Sequence, residues 1–507
     1  MTIDQSRSTR REVDRNRLTP APPTESYLGM PAFPKGVKSE LGNQQLRRNL
    51  RHATTTIRGK RAMRQAEVHN WQEMRTAAEQ IKNRVGRHLD HYLIQAEEKM
   101  TAAGITVHWA RDAEEANRIV VDITKSKNTD EVVKIKSMAT QETDLNEALE
   151  EAGIAAWETD LAELIVQMGH DKPSHILVPA IHRNRSEVRE IFLDEMGNWG
   201  APAPADISDD PPELANAARL HLREKFLRAK VGISGGNFIV ADTGSLVIVE
   251  SEGNGRMCLT LPETLISVVG IEKLVPTFDD LEVFLRLLPR SSTGERMNPY
   301  TSIWTGVTEG DGPQDLHVVL LDNGRTKVLE DPVGREALRC IRCSACMNVC
   351  PVYERVGGHA YGSVYPGPIG SILTPQLRGV SSPIDQSLPF ASSLCGACDE
   401  VCPVKIPISD ILVHMRHKVV EYKKGKRPIP TGERVLFKGL GWMMAKGNRL
   451  AGAQTFTKTA GKLFKRKQYI GPIPIPGYAA NWTNARDIPM PPAQTFRDWW
   501  AEREDTK

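Results

Sequence analysis

The sequence predicts an α/β domain with a mostly parallel sheet, then a smaller all-α domain, then a basic C-terminal region. Three observations lead there. Short apolar runs alternate with amphipathic stretches from Gly104 to about residue 325, which is the pattern of βα units. Seven of the eight cysteines lie between Cys340 and Cys402, bracketed by helical signals. The net charge of +3 conceals about +8 over residues 1–70, about −15 over 71–420 and about +11 over 421–470. At 507 residues the chain is too long for one hydrophobic core, so about three units are expected. Hydrophobic content of 40% with 25% charged residues excludes wholesale disorder. No run reaches the roughly 18 apolar residues of a membrane-spanning helix. The opening MTIDQSRSTRREVDRNR lacks the apolar core of a secretory signal. A cytoplasmic location is the expectation.

Residues 1–57 hold Pro20, Pro22, Pro23, Pro31 and Pro34 among polar and basic residues, and read as an extended arm without a core of its own, ordered only if it docks on something. The α/β domain is placed at 58–325 and opens on a long helix. There Trp71, Met74, Ala78, Ile81, Val85, Leu89, Tyr92, Ala96 and Met100 recur at helical steps before Gly104 stops it. ITVHWA (105–110) reads as a strand, with Asp112 capping the next helix. A helix over 129–151, a strand at IAAW (154–157), a strand at HILVPAI (175–181) and helices over 185–196 and 212–229 follow. NFIVA and SLVIVES flank the hairpin signal Asp242-Thr243-Gly244. LISVVG, a helix near 278–289 and LHVVLL complete the domain.

The cysteine region, 330–420, carries the chemistry. Cys340, Cys343, Cys346 and Cys350-Pro351 give C-x2-C-x2-C-x3-C-P, the spacing of two-cluster ferredoxins. Two-residue gaps let one tight loop place three sulfurs around a cubane, while the fourth cysteine is carried on to the neighbouring one. The second run is Cys395, Cys398 and Cys402-Pro403. Crossing the last cysteines gives Cys340, Cys343, Cys346 and Cys402 for cluster one, and Cys350, Cys395 and Cys398 for cluster two. Structural zinc favours two separated C-x2-C knuckles and has no use for a third close cysteine or the trailing prolines. Two [4Fe–4S] clusters are therefore expected, with cluster two a ligand short because Ser392 stands where the fourth cysteine would be. Three outcomes stay open: a [3Fe–4S] cluster, a non-cysteine ligand such as Ser392, or an open iron that binds substrate as a Lewis acid. Helical signals on both sides (REALRC, SDILVHMRHKVVEYKK) predict the helical ferredoxin type found in iron–sulfur subunits of respiratory dehydrogenases.

The cysteine motifs, with YPGPIGSILTP (365–375), HILVPAIH (175–182), ADTGSLVIVESEGNGR (241–256) and VGIEKLVPT (269–277), resemble the lactate-utilisation protein B family, the iron–sulfur subunits of the bacterial three-part L-lactate oxidation system. The resemblance runs from about residue 85 to 420, and more loosely to the C-terminus. It implies a LUD domain similar in fold to sugar-phosphate isomerases and coenzyme A transferases, then a helical ferredoxin with two [4Fe–4S] clusters. It implies electron transfer while L-lactate is oxidised to pyruvate, beside a cysteine-rich subunit and a second LUD subunit. The family pattern also has seven cysteines.

Other candidates receive modest readings. Gly232-Ile-Ser-Gly235-Gly236-Asn237 follows a helix and precedes a strand, the reverse of a dinucleotide loop, and reads as a turn or a small anion site. Glu158, Thr159, Asp160, Glu250, Glu252 and Arg256 fall at strand ends, where α/β sheets place ligands, but solvated or structural roles are the leading reading for them. Cys258 reads as a core thiol, His359 as a loop residue, and His414 and His417 as surface or packing residues. No flavin signature, P-loop or Ser-His-Asp order is present, so no catalytic residue is assigned. The leading expectation is an electron-transfer subunit, with an enzyme acting at the open iron of cluster two as the alternative. The basic region 421–507, and within it 434–466 with Lys462, Lys465 and Arg466, is the candidate partner surface. No nucleic acid is expected, and peripheral membrane contact stays open.

Overall fold

Ten strands lie between residues 106 and 321: β1 (Thr106–Ala110), β2 (Glu131–Lys134), β3 (Ala155–Glu158), β4 (Val231–Ser234), β5 (Phe238–Val240), β6 (Ser245–Glu250), β7 (Thr264–Gly270), β8 (Leu274–Val275), β9 (Tyr300–Trp304) and β10 (Asp315–Leu321). The structure, a computed structural model, describes residues 29–426, 432–461 and parts of 465–504. It divides into two units, Met1–Tyr422 and Lys423–Lys507.

In the first unit six strands form a sheet in the order β1-β10-β7-β4-β2-β3, parallel at every pairing. Both faces of its centre are covered: every residue of β4 and β7 is buried, as continuous apolar runs such as LISVVG require. A second sheet, β8-β5-β6-β9, is built on the antiparallel β5–β6 hairpin. The turn at Asp242-Thr243-Gly244 is where the sequence puts it.

Several elements differ from the reading of the sequence. The stripe from Trp71 to Met100 is buried as expected apart from Tyr92, but it lies on two helices, Trp71–Arg87 and Leu89–Ala102, separated at His88. Gly104 (φ 84°) then takes the left-handed conformation that ends the second. The helix expected over 129–151 is instead β2 followed by helices Met138–Glu142 and Leu145–Glu151. Two adjacent valines in EVVK, buried between neighbouring strands, outweigh the helix formers around them. The segment 175–181 is not a strand: Pro179 interrupts it, and the His175 Nδ1 accepts the N–H groups of Leu177 and Val178 in a turn. Within GISGGN, the first three residues belong to Val231–Ser234, so the motif is a strand end rather than a turn.

Residues 29–57 are not extended. They carry the helix Phe33–Glu40 and the start of Gln44–Ala66, while residues 1–28 lie outside the described residues. Leu46 and Leu50 are buried in the same apolar cluster as Met347, Tyr353, Ile372 and Met415. The arm thus finds its core in the cysteine region. Between Asp322 and Lys426 the chain is helical, from Arg325–Glu330 through Gly367–Leu377 to Ile408–Lys426, with no strand among the described residues. The second unit contains the helices Gly432–Met444, Gly447–Gly461 and Phe496–Glu504. Lys462 and residues 473–479 of the proline-rich stretch lie outside the described residues.

Candidate metal centre and the cavity beside it

None of the seven clustered cysteines is in a disulfide. Left-handed residues punctuate their loops: Arg342 (φ 61°), Ser344 (φ 57°), Leu394 (φ 56°), Gly396 (φ 80°) and Lys405 (φ 49°). Each reverses the backbone locally. For a residue with a Cβ this conformation costs roughly 1–2 kcal/mol, so the surroundings must impose it. Backbone N–H groups of Arg342, Tyr353 and Ile406 donate to the sulfurs of Cys340, Cys350 and Cys402 at 3.4, 3.5 and 3.4 Å.

The thiols fall into two neighbouring localities. Burial pushes the Cys343 thiol up to about 12, and Cys402 and Cys340 add to this. Burial, then Cys340, Cys343 and Cys402, raises Cys346 well above its ordinary value. Burial also holds Cys402 at about 11, with Cys340 among the groups that raise it. In the second locality burial raises Cys350, with Cys395 adding. Burial, then Asp399 and Cys350, pushes Cys398 to about 12. Cys398 also acts on Cys346, so the two localities adjoin. Enclosed thiols that oppose one another's ionisation become thiolates only against bound cations. Seven cysteines gathered in two adjoining localities, five of them with raised thiols and no imidazole among the groups acting on those five, fit iron–sulfur clusters. Cys395 is exposed, Cys340 and Cys346 are half-buried, and the other four are buried. Ser392 is half-buried; its Oγ accepts the Leu394 N–H at 3.1 Å and its carbonyl accepts from Arg416.

The α/β side reaches this site at two places. The first is the loop around HILVPAIH. His175 is buried against Asn348, which lies between Cys346 and Cys350, and Tyr353 Oη donates to the Ser174 carbonyl at 2.8 Å. Burial pushes His175 down to about 4, so it is neutral at physiological pH. Gly358 sits so close that a Cβ would come within 2.0 Å of the Ser174 carbonyl oxygen, so no side chain fits there.

The second place is a buried ion network. Arg342, between Cys340 and Cys343, donates to Glu272 Oε1 at 3.1 Å. Arg325 Nε donates to Glu272 Oε2 at 2.5 Å, and its Nη atoms meet Glu142 at 2.8 and 3.1 Å. Tyr365 Oη donates to the same Glu142 at 2.6 Å, and its ring lies 4.7 Å from the Arg342 guanidinium. Burial acts to raise the Glu272 carboxyl, but the two arginines overcome it and hold it at about 2.

This network walls a cavity of about 270 Å³ at the carboxyl ends of β2, β4, β7 and β10, where open α/β sheets place ligands. Lys136, Gly235, Gly236, Glu272, Lys273 and Asn298 are among its lining residues, together with Ile341 and Arg342 of the first cysteine loop.

The other sequence candidates have structural partners. Glu158 pairs with the buried Lys134 at 2.7 Å, and Thr159 Oγ1 donates to the Lys134 carbonyl. Asp160 caps the helix Leu161–Met168 and pairs with Lys136. Glu250 accepts three backbone N–H groups, including that of Arg256. Glu252 accepts from Leu161. Cys258 is fully buried beside Thr159 Oγ1, and burial pushes its thiol to about 12. His359 contacts the Lys172 carbonyl at 2.7 Å and meets His182 edge to face, and His414 meets Asp331. The residues the sequence reading did not single out are Glu142, Glu272, Lys273, Arg325, Arg342 and Tyr365. Glu272 and Lys273 stand in VGIEKLVPT, and Arg342 in CIRC, so the motifs were visible but the ion network joining them was not.

Three family models match the chain. The LUD domain covers residues 93–321, the 4Fe-4S dicluster domain 336–406, and the C-terminal domain of lactate utilisation protein B 413–505. Relatives named lactate utilization protein B match along nearly their whole length. The one from Oceanobacillus iheyensis is 41% identical over 481 residues, covering 94% of this chain and 97% of the relative. Those from Bacillus licheniformis and Bacillus subtilis are 42% and 41% identical over 486 residues, covering 95% of this chain and 98% of each relative. With a parallel α/β body, a helical seven-cysteine region and this identity from end to end, the chain belongs to the lactate utilisation protein B family.

Proposed function

We propose that the chain acts in lactate utilisation as an iron–sulfur electron-transfer subunit during oxidation of L-lactate to pyruvate. Cys340, Cys343, Cys346 and Cys402 would hold one [4Fe–4S] cluster. Cys350, Cys395 and Cys398 would hold a second centre whose fourth ligand is not a cysteine. Such clusters, when bound, accept and pass single electrons. The observation that carries the reading is the pair of adjoining thiol localities, one enclosed and the other reaching the surface at the exposed Cys395. The rest of the chain encloses and orients: Arg75 donates to the Cys402 carbonyl at 2.9 Å and Arg61 to that of Val401 at 2.9 Å. These cations lie beside sites that gain negative charge on reduction.

Removing two electrons from a hydroxy acid needs a two-electron acceptor, which falls to companion subunits, one cysteine-rich and one with a second LUD domain. Residues 58–325 and 330–420 would then be the ligand-facing and cluster-bearing parts, in the cytoplasm, with the basic region 434–466 meeting a partner. Among the described residues no helix is long and apolar enough to cross a membrane. Anaerobically purified protein should contain seven to eight irons with matching sulfide, by EPR and chemical assay. It should show negligible L-lactate oxidation with an artificial acceptor until the companion subunits are added. Full turnover by the chain alone would refute the electron-transfer role.

A further inference from the structure

We infer that Asp171, His182 and His359 form a binding site for one divalent transition-metal ion of zinc's class, distinct from the cysteine ligands. Asp171 precedes HILVPAIH, His182 ends it, and His359 stands in the segment after the first cysteine run. Each of the three brings one ligand atom within 4.8 Å of the other two. His182 Nε2 lies 2.7 Å from Asp171 Oδ2, and His359 Nε2 lies 3.9 Å from Asp171 Oδ1. The two imidazoles meet with ring centres 4.6 Å apart. Two imidazoles and one carboxylate make the borderline nitrogen and oxygen donor set that zinc accepts.

Two further observations point to an ion rather than to a hydrogen-bonded cluster alone. The first is the state of the rings. His182 Nε2 faces a carboxylate, and His359 Nε2 faces the Lys172 carbonyl at 2.7 Å. Both oxygens only accept, so each neutral ring carries its proton on Nε2 and a lone pair on Nδ1. Ligating histidines are oriented in this way by the oxygens behind them. His182 Nδ1 is buried and has no hydrogen-bond partner, an unmet acceptor that a cation satisfies. Asp171 Oδ2 is taken by His182 and Arg183. Oδ1, which accepts the Lys172 N–H at 2.8 Å, is the oxygen left to ligate. The second observation is charge. The three residues line a cavity of about 330 Å³ whose wall sets Glu40, Asp171 and Glu187 against the guanidinium of Arg183. Such a wall draws in a cation and disfavours an anion. Burial acts to raise the Asp171 carboxyl, but His182 holds it well below the ordinary carboxylate range. The cavity gives the ion a path of entry and leaves a position open to water, as in zinc sites with three protein ligands.

The inference does not rest on the lactate or electron-transfer reading, since it involves neither a cysteine nor turnover. The test is anaerobic calorimetric titration of the full-length, cluster-loaded chain with zinc, followed by X-ray absorption at the zinc edge. About one equivalent should bind, with zinc to nitrogen or oxygen distances of about 2.0–2.2 Å and no sulfur at about 2.3 Å. Iron content should stay at its starting level. His182→Gln and His359→Gln should each weaken zinc at least ~tenfold. His414→Gln, which alters the separate His414–Asp331 pair, should leave the affinity unchanged. A glutamine at position 359 can still donate to the Lys172 carbonyl, so His359→Gln serves alone if His182→Gln fails to fold. Absence of zinc binding, sulfur in the zinc shell, or equal affinity in wild type and His359→Gln would each overturn the inference. None of these results bears on cluster reduction.

Discussion

Glu272 is the residue whose loss should be felt on both sides of the molecule. Its carboxylate, with a side chain only 3% exposed, accepts from Arg325 at 2.5 Å and from Arg342 at 3.1 Å. Glu272→Gln keeps the shape and removes the charge. Arg325 retains Glu142, but Arg342 retains only the Cys340 carbonyl at 3.4 Å and its contact with Tyr365. Removing one partner from a buried ion pair costs about 3–5 kcal/mol, because the remaining charge stays buried. Here Lys82 and Lys273 lie close by and intensify the imbalance. The apparent melting temperature of the anaerobic protein should therefore fall by at least ~5 °C. Because Arg342 stands in a left-handed conformation between Cys340 and Cys343, the cluster-one EPR signal should be lost on dilution before that of cluster two. A melting temperature within ~1 °C of wild type, with both EPR signals intact, would show that the network sets neither stability nor loop geometry.

Gly358→Ala must push its new Cβ away from three backbone atoms of Ser174, at 2.0, 2.7 and 3.0 Å. It should cost roughly 1–3 kcal/mol and raise hydrogen exchange in 172–182, whereas Gly59→Ala, inside the helix Gln44–Ala66 with open space around it, should stabilise by roughly 0.5–1 kcal/mol. Burial, then Glu158, pushes the Glu163 carboxyl from 4.5 up to about 8. The native state therefore holds this proton longer than the unfolded chain, and the contribution to stability falls as pH rises from about 4.5 to about 8. Glu163→Gln should match wild type near pH 5 and exceed it by up to roughly 1.4 kcal/mol per pH unit above that, read from denaturant unfolding at pH 5, 6, 7 and 8. Cys343→Ser should lose iron from cluster one, while Cys258→Ala should keep its full iron content. Chelating the iron should abolish exchange protection in 340–402 and also in 172–182, leaving β4 and β7 protected.

How far these features were legible depends on the range of the interactions that fix them. The strands at LISVVG and LHVVLL, the hairpin at Asp242-Thr243-Gly244 and the Asp112 cap follow from composition within a few residues, and the sequence reading places them correctly. The cysteine runs were equally local. The region 129–151 was misread because EVVK is a strand only by virtue of β3 and β4 on either side. The segment at 175–181 has a strand's composition, but its backbone donors are taken by His175 and its outer face by the cysteine region. The arm was misread for the same reason, since the surface that buries Leu46 and Leu50 lies some three hundred residues away.

That distance bears on where the site belongs. Buried ion networks are weak contributors to net stability, because desolvation offsets most of the attraction. What Glu142, Glu272, Arg325 and Arg342 do supply is a single permitted arrangement: any slip of the first cysteine loop against β7 leaves a buried charge without its partner. The loop that presents Cys340 and Cys343 is thereby held by the Glu272 carboxylate from the α/β side, and Glu272, Arg325 and Arg342 wall the cavity containing Lys273. A boundary drawn near residue 325 on composition alone therefore cuts through the site. The sulfur ligands lie on one side of it and the charges that position their loop on the other, so neither segment expressed alone would present the first cysteine loop in its native geometry.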